Sequence, residues 1–112
     1  MKLEIHSMTL NIMYYLPDEY FDKLPKIYSK MNGWLGNGGY SIESGFWFNL
    51  DVNPKNKYIT CYGEQSGLCF EANMKKEEWE EWKINFKKIA SEILGYKVGE
   101  REILGDSEEP NI

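Results

Sequence analysis

The residues best suited to chemistry in this 112-residue chain are one histidine and two cysteines. Metal sites use close pairs such as Cys-x-x-Cys or His-x-x-x-His, and His6, Cys61 and Cys69 form no such pair. A cysteine nucleophile would need His6 beside one of the thiols, and no pattern brings them together. The sequence therefore predicts no metal, no cofactor and no catalytic group, and it favours His6 as an ordinary edge-strand residue.

Two other features resemble catalytic motifs only superficially. Paired carboxylates at 18–19, 77–78 and 80–81 diverge by about 100° on a helix, so they indicate solvated faces. Residues 33–45 contain five glycines, which predict a loop rather than a strand. This loop lacks the Lys-Ser or Lys-Thr of a phosphate-binding loop, and it lies between a helix and a strand rather than the reverse.

Composition narrows the function classes. Hydrophobic residues make up 42% of the chain and aromatic residues 15%, which predicts one packed core with some partly exposed rings. The net charge of −5 argues against nucleic-acid binding and is compatible with a basic protein partner. The first 17 residues lack signal-peptide features, and no apolar run could span a membrane, so we expect a cytoplasmic protein.

We predict an α+β fold with one antiparallel sheet of about four strands. The expected element order is β-α-β-β-β-α, with two helices on one face of the sheet. Residues 1–104 would form the single domain, and residues 105–112 (GDSEEPNI) a flexible acidic tail. In residues 2–16, the apolar positions change phase near His6 and Ser7, which predicts a β-bulge, or a start that is disordered or paired separately.

Residues 45–73 predict three consecutive antiparallel strands. In the expected register Val52 opposes Ile59, and Ile59 opposes Ala72. The predicted inner face comprises Phe46, Phe48, Leu50, Val52, Ile59, Cys61, Leu68, Phe70 and Ala72. In that register the two cysteines point to opposite sides of the sheet and cannot form a disulfide.

One helix is expected before these strands in the sequence and one after them. The first begins at Pro17 and runs to Met31, and Pro25 must kink it or split it into two pieces. The second spans about 75–94, with Asn73 as its N-cap and Gly95 as its left-handed C-cap. Its tryptophans are interpreted as core anchors.

The predicted outer face of the sheet combines acids with aromatics, a composition suited to a basic protein surface or a cationic small molecule. The candidate partner-binding residues are Trp47, Asp51, Tyr58, Tyr62, Glu64 and Glu71. The alternative is that long side chains or the C-terminal segment cover this face. A competing acidic patch on the first helix comprises Asp18, Glu19 and Asp22.

Three segments resemble the small immunity proteins of bacterial polymorphic-toxin and contact-dependent growth inhibition systems. They are SGFWFNLDV (44–52), CYGEQSGLCFEA (61–72) and EEWEEWKINFKKIASEILGYKVGERE (77–102). The resemblance implies a cytoplasmic inhibitor, not an enzyme, that binds one cognate toxin domain, often a nuclease, and blocks its active site or substrate access. It identifies neither the toxin nor any binding residue.

Two other functions are compatible with the sequence. One is a small-molecule-binding or enzymatic domain that uses the glycine-rich loop 33–45 with Tyr40, Trp47 and Tyr62 as a pocket. The other is an interaction subunit of a larger assembly. A deep pocket with convergent polar groups would favour the first of these over an inhibitor.

Overall fold

A computed structural model describes residues 2–110, which form one antiparallel sheet with helices packed on one of its faces. The elements are β1 Glu4–Leu10, α1 Asp18–Phe21, α2 Leu24–Ser29, β2 Trp34–Gly36, β3 Gly45–Trp47, β4 Tyr58–Glu64, β5 Gly67–Met74 and α3 Lys76–Leu94. The strand order is β1-β5-β4-β3-β2. This confirms the predicted α+β class. The sheet has five strands because β2 lies in the segment predicted as a loop.

β1 runs along one edge of the sheet without the predicted bulge. It pairs with β5 in one unbroken register from Glu4 to Leu10. Its even-numbered residues face the core, where His6 Nε2 donates to the Met74 carbonyl oxygen (3.0 Å). Ile5 is instead left 59% exposed on the other face. The predicted bulge was wrong because the strand exposes one isoleucine rather than change phase.

The hairpin of β4 and β5 has the register predicted from its apolar alternation. Ile59 opposes Ala72 and Cys61 opposes Phe70. Both cysteines are free thiols; Cys61 is buried and Cys69 is partly exposed. The prediction that they form no disulfide is confirmed.

β3 differs from the predicted strand in length and in facing. It ends at Trp47, which pairs with Ile59 in the place predicted for Val52. Trp47 therefore faces the core and is fully buried. Phe48 then has a φ of 70°, and the Asn49 N–H donates to the Trp47 carbonyl oxygen (2.9 Å), which closes a γ-turn. The predicted inner-face strand over 46–52 was wrong.

The size of the indole explains why Trp47 takes the inner position. Its ring lies 5.0 Å from that of Trp82 and 5.2 Å from that of Tyr28, both edge-on. Its Nε1 donates to the Tyr28 carbonyl oxygen (3.2 Å), so the one polar atom of the ring is satisfied. Burying this ring removes more apolar surface from water than burying Leu50 or Val52 would.

The helices follow the sequence signals except at one cap. The first predicted helix is split into α1 and α2, with Pro25 in the first turn of α2, where a missing N–H costs least. Gly95 has the expected left-handed conformation (φ 83°) after α3. Asn73 is not the N-cap of α3, because it lies in β5 and its Nδ2 donates to the carbonyl oxygens of Pro54 and Asn56 (both 2.9 Å).

The chain after α3 folds back along β1, and we call residues 97–110 the strap. The Asn11 N–H donates to the Gly99 carbonyl oxygen (3.1 Å), and the Arg101 N–H donates to that of Thr9 (3.3 Å). A side chain at Gly99 would meet the Asp106 carbonyl oxygen at 1.9 Å, so only glycine fits here. Residues 105–110 of the predicted tail belong to this strap. Residue 1 of the predicted domain and tail residues 111 and 112 lie outside the described residues.

An ion cluster fastens the strap to α3. Lys87 Nζ lies 2.7 Å from a Glu100 carboxylate oxygen and 2.8 Å from one of Asp106. Burial opposes both charges, but the hydrogen bonds outweigh it: they raise the pKa of Lys87 and lower the pKa of Asp106.

Phe86 provides a direct test of the core face of α3. It is fully buried, so Phe86→Ala should lower the free energy of unfolding by about 3–5 kcal/mol in urea denaturation. Ile84→Ala on the same helix is the control, because Ile84 is 61% exposed and its loss should change stability by less than about 0.5 kcal/mol. A loss below about 1 kcal/mol for Phe86→Ala would contradict the assigned helix face.

The ion cluster makes a pH-dependent prediction. The lowered pKa of Asp106 stabilises the fold above its ordinary value of 3.8, and this contribution is lost as the pH falls through the folded-state pKa. The raised pKa of Lys87 stabilises it below 10.5, and this is lost as the pH rises through its folded-state pKa. Asp106→Asn should therefore cost about 1–3 kcal/mol near pH 7.

Chemical denaturation of the two proteins from pH 3 to 11 measures this difference. The destabilisation should shrink at both ends of the range and be greatest between them. A difference that stays constant across the whole range would show that the carboxylate charge is not what fastens the strap.

Candidate partner-binding surface

An open acidic cleft of about 740 Å³ lies at the end of the sheet where the β4–β5 hairpin turns. Its floor is apolar, formed by the buried residues Ile12 and Leu68. Its walls come from Tyr14, α1, residues 42–43 and the hairpin tip 63–65. Three chain segments that are distant in sequence thus meet around one concavity.

Carboxylates set the electrostatics of this cleft. Four line it, and among residues 2–110 no lysine or arginine does. They are Asp18, Asp22, Glu43 and Glu64. Aromatic surface accompanies them, since Tyr14 is 65% exposed and Phe21 is partly exposed. The combination of an apolar floor, exposed rings and a lining of carboxylates fits a cationic partner.

Glu43 is held in place from both sides. Its carbonyl oxygen accepts from the Tyr28 hydroxyl (2.8 Å) and from the Cys61 thiol (3.4 Å), both of which are buried. Its side chain lies over Gly63, where an added Cβ would approach Glu43 Cγ to 2.8 Å. Burial raises the pKa of Tyr28 well above its usual range and the pKa of Cys61 to about 12, so both donors keep their protons at neutral pH. The Glu43 backbone is therefore anchored by neutral groups in the core.

The outer face of the sheet carries a second, apolar groove of about 430 Å³. It is lined by Gly38, Tyr40, Phe46, Leu50, Val52 and Thr60. Its polar side-chain groups are the hydroxyls of Tyr40 and Thr60, and the Thr60 hydroxyl already donates to the Gly45 carbonyl oxygen (3.1 Å). The groove thus contains part of the glycine-rich loop 33–45, but it does not present converging titratable groups.

The predicted outer-face site is only partly assembled. Tyr62 and Glu64 are exposed on β4 as predicted. Tyr58 and Glu71 share the outer face, but the Tyr58 hydroxyl donates to the Glu71 carboxylate (2.5 Å) and Tyr58 is buried. Burial and this hydrogen bond raise the pKa of Tyr58 to about 12. This pair is already satisfied within the chain.

Two predicted site residues lie elsewhere. Trp47 is in the core, so its assignment to the partner-binding face was wrong, and it cannot join Tyr40 and Tyr62 in a pocket either. Asp51 is exposed but lies in the loop after β3, where its N–H donates to Asn49 Oδ1 (2.9 Å). Because β3 stops at Trp47, Asp51 is not on a strand.

The two acidic patches predicted as competitors meet in the cleft. Asp18 in α1 and Asp22 directly after it line the cleft together with Glu64 from the hairpin, whereas Glu19 does not. Sequence reasoning missed Glu43, Tyr14 and Phe21. No spacing signal marks Glu43, which is recognisable only because it lies against Gly63.

Together these features define an α+β domain with an acidic cleft beside the end of its sheet. No protein-family model, curated protein or solved structure matches the chain. In the part of the chain that the structure describes, no three His, Cys, Asp or Glu side chains are placed to hold a metal ion. Over the same residues no helix is both long and apolar enough to cross a bilayer.

Thiol labelling tests the anchoring of Glu43. Burial raises the pKa of Cys61 to about 12, so this thiol should not react with a disulfide reagent at pH 8, whereas the partly exposed Cys69 should. Mass spectrometry should find one labelled thiol in the native protein and two in denaturant, and Cys69→Ser should abolish native labelling. Fast labelling of both thiols in the native state would contradict the closed core around Cys61.

Proposed function

We propose that this protein is a toxin-neutralising immunity protein. It would act in the cytoplasm without catalysing a reaction, by binding a cognate toxin domain and blocking its active site or its access to substrate. The observation that carries the proposal is the acidic cleft, which is lined by four carboxylates and, among the described residues, by no lysine or arginine. The resemblance of residues 44–52, 61–72 and 77–102 to immunity proteins supports the same function.

The charge of the cleft indicates the kind of toxin. A nuclease must attract phosphate, so its active-site surface is basic. Asp18 and Asp22 at α1 and Glu64 at the end of β4 present negative charge to one concavity, as a complementary inhibitor surface would. The partner we propose is therefore a basic nuclease domain, to be sought first among the products of the genes adjacent to the one that encodes this chain.

Charges and rings should contribute differently to this complex. Carboxylates around an open cleft mainly accelerate encounter, by about 10- to 1,000-fold at low salt. Exposed rings are better anchors, because they exclude water once the partner covers them. Tyr14 is exposed at the cleft, and Tyr62 is exposed on the outer face of the sheet. Replacing each tyrosine therefore tests one of these two surfaces.

The decisive experiment pairs two charge-reversal variants of equal net charge. Asp22→Lys with Glu64→Lys changes the cleft, whereas Glu92→Lys with Glu102→Lys changes exposed acids outside it. In stopped-flow binding to the partner nuclease domain, the cleft variant should associate at least about 10-fold more slowly and with a weaker salt dependence. The control should associate within about 3-fold of wild type.

Removing one ring at a time tests whether the cleft or the outer face of the sheet lies at the centre of the interface with the toxin domain. Tyr14→Ala should speed dissociation and cost about 2 kcal/mol of binding, whereas Tyr62→Ala should cost less than about 1 kcal/mol. Protection of a bacterial host against the co-expressed toxin domain is the functional readout. Equal effects of the two charge variants, or full protection by a folded cleft variant with unchanged kinetics, would overturn the cleft as the binding site.

A further inference from the structure

The chain protects both edges of its sheet except along one short stretch. The β2 edge is only three residues long and ends at Gly36, whose φ of 112° bends the backbone out of the strand conformation. At the β1 edge, the strap covers residues 9–11 with the two hydrogen bonds from Asn11 and to Thr9. The strap then turns away, and within residues 2–110 no hydrogen bond reaches the outer edge of residues 5–7.

The backbone groups of this stretch point outwards. In an antiparallel pair, residues alternate between bonding their neighbour and pointing away from it. The Thr9 carbonyl oxygen accepts from Arg101 and so points away from β5, and the same alternation directs Ile5 and Ser7 outwards. An unpaired edge of this kind is a template for another strand, and proteins normally blunt it with proline, a bulge or a charge. None of these occurs between Ile5 and Ser7.

We propose that this edge pairs two copies of the chain. Their β1 strands would lie antiparallel about a two-fold axis at Ile5, which joins the two five-stranded sheets into one. Ile5 would then face Ile5 of the second copy, and Leu3 would face Ser7. Each pair joins two outward-pointing residues, so both of its backbone hydrogen bonds can form.

Self-complementarity favours a second copy over an unrelated strand. A two-fold interface needs one surface that matches itself. Residues 4–6 match themselves about a two-fold axis at Ile5. Glu4 of one copy lies opposite His6 of the other, which places a carboxylate facing an imidazole, and the 59% exposed Ile5 meets Ile5 of the second copy. The strap prevents a shift of register towards Thr9, because Arg101 already bonds that carbonyl oxygen.

The dimer should be weak, since about five residues from each copy bury far less than a standard interface. Sedimentation velocity from about 5 µM to about 1 mM should show the mass rising towards two chains, with a Kd on the order of 100 µM. Ile5→Lys should keep the chain monomeric over this range. Ile5→Pro should do the same while leaving the β1–β5 ladder intact, because the N–H that it removes points outwards.

Ile84→Lys is the matched control. Ile84 is 61% exposed, nearly the same as Ile5, but lies on α3, so this variant should dimerise like wild type. Register is tested with Ile5→Cys in a Cys69→Ser background, because residues facing each other in a bonded pair lie about 5.5 Å apart, within disulfide range. Mild oxidation should cross-link this variant but not Ile84→Cys in the same background.

A wild-type chain that remains monomeric at about 1 mM, or a Kd changed equally by Ile5→Lys and Ile84→Lys, would overturn the proposal. If the chain is monomeric and Ile5→Lys instead weakens binding to the toxin domain, the edge pairs with a strand of that partner. Self-association through β1 would then be wrong, while the inhibitor function would stand.

Discussion

The packing of Trp47 is the constraint on which the rest of the structure depends. Its ring is surrounded by those of Tyr28, Trp34, Trp82 and Phe86 at centroid distances of 5.0 to 6.4 Å. These rings come from α2, β2, β3 and α3, so one cluster joins every layer of the fold. In a chain of this length, few other groups bury enough apolar surface to fix the helices against the sheet.

Placing Trp47 inwards has consequences along the next ten residues. The strand must end, and the strained γ-turn at Phe48 is stabilised by its surroundings: the Phe48 N–H donates to the Gly33 carbonyl oxygen (2.8 Å), and Lys57 Nζ lies 4.3 Å above the ring. Gly33 is required there, because an added Cβ would lie 2.6 Å from the Phe48 ring. The apolar residues Leu50 and Val52 are left at the surface, where they line the outer groove.

The features that depend on local sequence patterns were predicted correctly, whereas those that depend on contacts between distant residues were not. The register of β4 and β5, the break at Pro25 and the cap at Gly95 each follow from spacing or backbone chemistry within a few residues. The facing of β3 does not, because three consecutive aromatic residues at 46–48 put an aromatic side chain on the inner face in either orientation. Only the contacts of Trp47 with the helices choose between the two orientations. The position of Ile5 could not be predicted for a similar reason. The apolar alternation showed that Ile5 and Met8 cannot both face the core in one regular strand, but it did not show which of the two would be exposed.

The acidic cleft also depends on contacts between distant parts of the chain, which local sequence patterns do not reveal. Asp18 and Asp22 belong to a local helix pattern and Glu64 to a hairpin, so sequence reasoning treated them as alternative surfaces. They meet because α1 and the hairpin tip lie over the same end of the sheet, on the apolar floor of Ile12 and Leu68. Concentrating like charges costs stability through repulsion, and no described lysine or arginine in the cleft offsets it. Glu71 is paired with Tyr58 and Asp106 with Lys87, whereas Asp18, Asp22 and Glu64 are exposed around one concavity and have charge available for a partner.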